Sequence, residues 1–355
     1  MLDYKKIFSE NPFSMAQKDK EEWYYKYQKE LTSYHYDNSI EYKKLTDQIF
    51  GGINTKKKLS DLPFVPVYLF KDFDLNSRND PKSSKVLTSS GTTGEKTSKV
   101  YLDRKTSLLQ SRALSIIFSN ILNDRNSTIF FVDTPKVILG KEALTARGTA
   151  IKGFSQLVKK STFLLDEKFN LKIERLTNFL KQNPDGQFII FGFTSFLWTY
   201  LIQKMQSNKI KISKNNGMLI HGGGWKKMNE QAVDRDVFNE HIKEIIGVNS
   251  IHNYYGMVEQ AGSIFLECGY GFFHSSIFSE IFIRDKNLKL SPIKQNGLIQ
   301  TLSLLPLSYP GHNILTEDIG ALEGVDDCRC GRKGKYFSIK GRVPGTELRG
   351  CSDVN

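Results

Sequence analysis

The residues best suited to chemistry lie in the run Leu87-Thr88-Ser89-Ser90-Gly91-Thr92-Thr93-Gly94-Glu95-Lys96-Thr97, where small hydroxyl side chains and glycines stand together. Backbone N–H groups of such a run can come close to phosphate oxygens, while hydroxyls and a nearby lysine add donors and positive charge. The spacing is not that of the common nucleotide loop, which needs glycine where Lys96 stands. A flexible Ser/Thr/Gly surface loop is the other reading of the same residues. Downstream come His221-Gly222-Gly223-Gly224-Trp225, then Asn253-Tyr254-Tyr255-Gly256-Met257-Val258-Glu259, then Thr316-Glu317-Asp318 and Gly341-Arg342. Taken alone, Glu259 has the alternative reading of a helix N-terminal charge and Asp318 that of a turn residue.

All four cysteines, Cys268, Cys328, Cys330 and Cys351, fall in the last quarter of the chain. Cys268 and His274 are six apart and Cys328 and Cys330 flank one arginine, so three thiolates and an imidazole could close a structural zinc site. Reduced, unliganded thiols are the alternative, since Cys-x-Cys is a less usual ligand spacing than Cys-x-x-Cys. Cys351 sits in Gly345-Thr346-Glu347-Leu348-Arg349-Gly350-Cys351, where a nearby arginine favours the thiolate and a flexible segment would let it reach an activated acyl group.

The elements that must position these residues fall into three stretches. Residues 1–84 read as a helical and extended segment packed on the core, with an aromatic-rich helix over 21–36 and an extended piece around Pro63 and Pro66. Over 85–262, apolar strands (85–88, 128–133, 161–165, 187–191, 217–221, 250–254) alternate with helices (103–122, 170–182, 195–207, 229–246). That alternation predicts an α/β nucleotide-binding core with a largely parallel sheet, whose ligands sit at the loops after the strands. Residues 263–355 read as a smaller β-rich subdomain ending in the cysteine tail. Phe191, Phe193, Phe196 and Trp198 fit either an apolar pocket or the core.

Composition bounds the function classes. Hydrophobic residues at 39% and charged residues at 25% of 355 match a folded soluble chain rather than a disordered one. No apolar run reaches the roughly 18 residues of a membrane span. The polar start, Met1-Leu2-Asp3-Tyr4-Lys5-Lys6, leaves no signal-peptide core, so a cytoplasmic protein is expected. The net charge of 50 − 38 = +12 is scattered, with Lys56-Lys57-Lys58 its densest run, and no signature of a base reader accompanies it. A nucleic-acid partner is therefore not expected; ATP and an acidic partner protein suit the surplus.

The order and spacing of these motifs resemble the adenylate-forming enzymes, the superfamily of acyl-CoA ligases, luciferases and peptide-synthetase adenylation domains, over about residues 85–350. The resemblance implies a large N-terminal domain of mixed, largely parallel sheets flanked by helices, followed by a small β-rich subdomain. It implies that Ser89, Ser90, Gly91, Thr92, Thr93, Gly94 and Lys96 hold the ATP phosphates, with Lys96 also catalytic. Gly222, Gly223 and Gly224 would pass under the adenine, Tyr254, Tyr255 and Gly256 would frame it with Tyr255 stacking, and Glu259 would hold Mg²⁺. Asp318 would bind the ribose hydroxyls and Arg342 the ribose or phosphate. Some phenylacetate-CoA ligases carry a similar Cys/His arrangement, which keeps Zn²⁺ among the expected cofactors.

The superfamily's usual lid domain is expected to be missing, since 13 residues of this sequence follow Arg342 and Pro344 stands where the acidic hinge is expected. The ending, with 63–71 and His-Gly-Gly-Gly-Trp, is similar to the acyl-protein synthetase (LuxE) family of bacterial fatty acid reductase complexes. The resemblance implies a ligase that adenylates a fatty or related acid, moves the acyl group to Cys351 and passes it to an acyl-reductase partner. An acyl- or aryl-CoA ligase without its lid, or an idle nucleotide-binding scaffold, are the alternatives.

Overall fold

The computed structural model describes residues 2–53, 58–78, 84–89, 97–122, 126–213, 215–225 and 232–344. By contacts the chain divides into two compact units. Of the described residues, the first unit holds 2–88, 97–117 and 256–344, and the second holds residue 89 and 118–255. The three stretches read from sequence divide the chain by pattern. By contact, its beginning and its last third belong to one unit.

In chain order the strands are β1 (Val65–Pro66), β2 (Lys85–Thr88), β3 (Lys99–Leu102), β4 (Thr128–Phe131), β5 (Lys160–Phe163), β6 (Phe188–Phe193) and β7 (Met218–Gly222). They continue with β8 (Ser250–Tyr255), β9 (Phe265–Glu267), β10 (Phe273–His274), β11 (Ser279–Arg284), β12 (Asn296–Ser303), β13 (Asn313–Val325) and β14 (Lys335–Arg342).

The second unit is a parallel sheet in the order β5-β4-β6-β7-β8. Its central strand, Phe-Ile-Ile-Phe-Gly-Phe, is buried at every position, as expected of a strand covered on both faces. Alternate side chains serve the two faces. Phe130, Phe188, Ile190 and Leu219 pack with Leu201 and with Phe238, Ile242 and Ile245 of the helix Arg235–Ile246. On the other face Phe191 meets Phe131 and Phe154, and Phe154 meets Phe118. The helix after β6 begins at Thr194–Phe196, widens to a π-helix over Leu197–Ile202, and returns to α-helix at Gln203–Ser207.

The first unit is built on an antiparallel run, β11-β12-β13-β14-β10-β9, with β1 added parallel to β13. The 22-residue helix Gln17–Asn38 lies against it and buries polar groups along with rings. Tyr24 donates to the Phe278 carbonyl at 3.1 Å and Gln28 to that of Ser303 at 2.8 Å. Glu280 of β11, fully buried, meets Lys20 at 3.4 Å, Lys335 at 3.6 Å, and the Gln17 amide at 2.8 Å. His35 and His312 stack with centroids 4.7 Å apart, both fully buried.

One strand departs from expectation. Residues 85–88 do form a strand, but β2 pairs antiparallel with β3 as a separate two-stranded ribbon and takes no place in the parallel sheet. Short-range alternation cannot tell the two apart, because pairing partners are set by tertiary contacts. Among the described residues no helix is long and apolar enough to cross a membrane.

Candidate active site and metal centre

In the second unit the parallel register brings the C-terminal strand ends level, with Phe193 opposite Gly222 and Gly222 opposite Tyr254. This is the edge where open α/β sheets bind ligands. A Cβ at Gly222 would lie 2.6 Å from the Tyr254 ring and 2.8 Å from its carbonyl oxygen, so no other residue fits. Gly223 and Gly224 take left-handed backbone, with φ of 83° and 64°. The glycine run thus has two causes, a close neighbour and then a reversed turn. Tyr254 is buried, its ring on Phe191 and Phe154, whereas Tyr255 is half-buried at the strand end. Phe191 and Phe193 are core residues, and Trp198 belongs to the helix-side core.

Two polar pairs at this edge were not evident in the sequence. The Thr194 hydroxyl lies 2.9 Å from His221 Nδ1 and donates to the Gly222 carbonyl at 3.1 Å, tying the ends of β6 and β7. A hydroxyl has one proton, so donation to the carbonyl leaves His221 Nδ1–H as the donor to Thr194. Burial pushes this imidazole down to about 3, keeping it neutral. Beyond β4, Asp133 meets Arg147 at 3.2 Å, and the guanidinium lies over the Phe196 ring. Burial raises the Asp133 carboxyl to about 6 although Arg147 opposes the shift. Asp133 and Thr194, polar residues that follow the apolar runs of β4 and β6, carry the signal for them in the sequence, together with His221 of the glycine motif.

In the first unit, β13 and β14 set Asp318 directly opposite Arg342. Arg342 pairs with Asp318 at 3.0 Å and with Glu317 at 3.4 Å. Glu259, on the short turn Val258–Gln260, is buried. Burial raises its carboxyl above the usual range, opposed by a hydrogen bond with Ser98 and by the charge of Arg342, while Asp318 adds to the rise. Glu259, Glu317, Asp318 and Arg342 therefore form one electrostatic group. A carboxylate is the ligand type a hard cation such as Mg²⁺ takes, and Glu259 is the buried one of this group. Gly256 is close to Ile264, where a Cβ would approach to 3.1 Å.

Cys268, His274, Cys328 and Cys330 also converge, their ligand atoms all within 4.8 Å of one another. Two turns present the thiols. Gly271 N–H donates to the Cys268 carbonyl at 2.9 Å and Gly331 N–H to the Cys328 carbonyl at 3.0 Å, both glycines with φ near +80° (82° and 83°). His274 comes from β10, its ring stacked on Tyr336. The Cys268–Cys328 Sγ separation is 3.9 Å and Cys330 Sγ lies 3.4 Å from His274 Nε2. Tetrahedral zinc with its ordinary bond lengths has edges of about 3.8 Å between sulfurs and about 3.5 Å between sulfur and nitrogen. The donor set and spacing fit Zn²⁺. Burial and the neighbouring thiols push Cys328 up to about 12, and a bound cation would favour its thiolate.

Ser89 is described, at the end of β2, while Ser90, Gly91, Thr92, Thr93, Gly94, Lys96 and Cys351 lie outside the described residues.

The chain has the fold of the adenylate-forming ligases. The chain superposes on an open conformation of 2-hydroxyisobutyryl-CoA ligase with a TM-score of 0.73 at 16% identity, covering 94% of this chain and 77% of that one. A postadenylation-state structure of the same ligase gives 0.68 at 14% identity, over 93% and 69% of the two chains. Within that class the chain belongs to the acyl-protein synthetase family LuxE, whose family model matches residues 2–355. A long-chain-fatty-acid--luciferin-component ligase of Vibrio harveyi is 26% identical over 356 residues, 94% of this chain and 89% of that protein. Its namesake in Aliivibrio fischeri is 23% identical over 86% and 82%.

Proposed function

We propose that this protein activates a carboxylic acid, a fatty acid by analogy with the named relatives, as acyl-AMP and transfers the acyl group to Cys351 for delivery to an acyl-reductase-like partner. The observation that carries the reading is the register pairing of Asp318 with Arg342 beside buried Glu259, in a chain matched by the family over residues 2–355. In the first step a carboxylate oxygen attacks the α-phosphorus of ATP and the bond to pyrophosphate breaks. Asp318 accepts hydrogen bonds from the ribose, and Arg342, already held by Glu317, offers its remaining donors to ribose or phosphate. Glu259 would hold Mg²⁺, which supplies charge neutralisation for the departing pyrophosphate. Ser89, Ser90, Gly91, Thr92, Thr93, Gly94 and Lys96 would hold the phosphates, with Lys96 stabilising the transferred charge.

Gly222, Gly223 and Gly224 line one side of the adenine and Tyr255, with Tyr254 committed to the core, stacks on it; Gly256 lets the chain turn between them. In the second step the Cys351 thiolate attacks the acyl carbon, the C–O bond to AMP breaks, and AMP leaves with the electron pair. A mixed anhydride is a good acyl donor, so placement of the thiolate does most of the work. The zinc reading of Cys268, His274, Cys328 and Cys330 belongs with this proposal as a structural centre. So does a cytoplasmic setting.

Incubation with ATP and labelled acids of graded chain length, with and without CoA, tests it. Cys351→Ala is expected to keep pyrophosphate exchange into ATP while losing the covalent acyl label. Equal loss of both activities sinks the role of Cys351, and label on CoA alone favours a CoA ligase. ATP binding with no exchange for any acid favours an idle scaffold.

A further inference from the structure

The four ligands do not balance their own charge. Three thiolates and a neutral imidazole around Zn²⁺ sum to 2 − 3 = −1, and a net charge in a largely buried site is costly unless compensated. Arg332 stands immediately beyond the Cys328–Gly331 turn, two residues after Cys330; burial lowers its guanidinium, and negative charge at Cys330, Cys268 and Cys328 would oppose that shift. Its position is fixed from two sides. One nitrogen donates to the Leu266 carbonyl at 3.1 Å, on the residue that pairs with His274 across β9 and β10. The other side is covered by the Phe13 ring, whose centroid lies 4.5 Å away. The Phe13 carbonyl in turn accepts from Lys333 N–H at 2.9 Å. Lys20 also acts on His274, but Lys20 is engaged by Glu280.

We propose that Arg332 is a positioning residue of the metal centre: its fixed positive charge neutralises the Cys₃His zinc unit, and zinc affinity depends on it. The inference rests on the zinc reading above and goes beyond it, because it assigns a role to a residue outside the ligand set. Loss of an outer-shell partner typically costs 10–100-fold in metal affinity.

The test is competition for Zn²⁺ against a chelator of known affinity, using the full chain as wild type, Arg332→Gln and Arg332→Lys. One zinc per wild-type chain is expected, with Arg332→Gln weaker by about 10–100-fold and Arg332→Lys recovering most of the loss. Urea midpoints of the zinc-free proteins in excess chelator supply the second readout. They should be unchanged or higher in Arg332→Gln, because a guanidinium without thiolates has lost its counter-charge. A fall in the zinc-free midpoint matching the fall in affinity makes Arg332 a packing residue on Phe13 and overturns the inference. Equal zinc affinity in all three proteins overturns it too. Absence of zinc binding by wild type instead sinks the metal assignment on which it stands.

Discussion

The two units reach stable interiors by different means. The sheet of the second unit is packed with hydrocarbon and rings on both faces, and its polar pairs, Thr194 with His221 and Asp133 with Arg147, stand at the strand ends. The first unit carries charge through its middle: Lys20 and Lys335 flank Glu280, and two histidines stack against each other. Apolar packing depends on volume and periodicity, which many sequences satisfy. Buried ion pairs depend on particular partners, and losing one member leaves the others stranded.

That contrast can be broken at its strongest point. Glu280→Ala should leave two lysines buried without a counter-charge and cost about 3–5 kcal/mol. Urea unfolding would register the loss, and hydrogen exchange should show β11 and β14 losing protection; a change under about 1 kcal/mol would show that water already solvates the cluster. Leu201→Ala tests the hydrocarbon side. Leu201 is fully buried in the helix-side core of the second unit, and its truncation is expected to cost about 2–5 kcal/mol, read as lost protection in β6 and β7.

A smaller effect sharpens the comparison through pH. Burial holds His35 near 3 and pushes His312 well down, against about 6.5 in an unfolded chain. Below pH 6.5 the unfolded chain binds more protons, so stability falls as pH drops from 6.5 towards 3. His35 should cost about 2 kcal/mol at pH 5, and His312 adds in the same direction. His35→Gln should reduce the slope of stability against pH in the first unit by the share of one histidine, measured as urea midpoints between pH 7.5 and 5. An unchanged slope would mean that His35 is already protonated or exposed.

The same division explains what could be read from sequence. In the second unit the strands expected over 187–191 and 217–221 appear as Phe188–Phe193 and Met218–Gly222, because runs buried on both faces announce themselves as apolar. The helix expected over 229–246 is described as Arg235–Ile246, its Phe238, Ile242 and Ile246 at helical spacing. The helix Ala146–Ser155 carries no comparable signal: it contains two glycines and a threonine and is held by the Thr145 cap and by packing of Ile151 and Phe154. In the first unit the Gln17–Asn38 helix was legible as helix, but its partners were not. Lys20 reads as a surface lysine, and the carboxylate that buries it lies 260 positions away.

Site residues follow the same rule. Asp318 and Arg342, and the four-residue Cys/His set, were visible as types at suggestive spacings, and the strands bring each set together. Arg147, Thr194 and Arg332 carry no motif. Their surroundings come from segments distant in the chain, which spacing along the sequence cannot encode.

The π-helix at Leu197–Ile202 closes hydrogen bonds one residue farther along than an α-helix does, so it holds a residue that an α-helix would not need. Gain or loss of a single residue here can be absorbed by interconverting π and α geometry, without shifting β6 before it or Gln203–Ser207 after it. In terms of descent, Leu197–Ile202 is where the chain length of relatives should vary by one, with the strand ends that bear Thr194 and Gly222 kept in place.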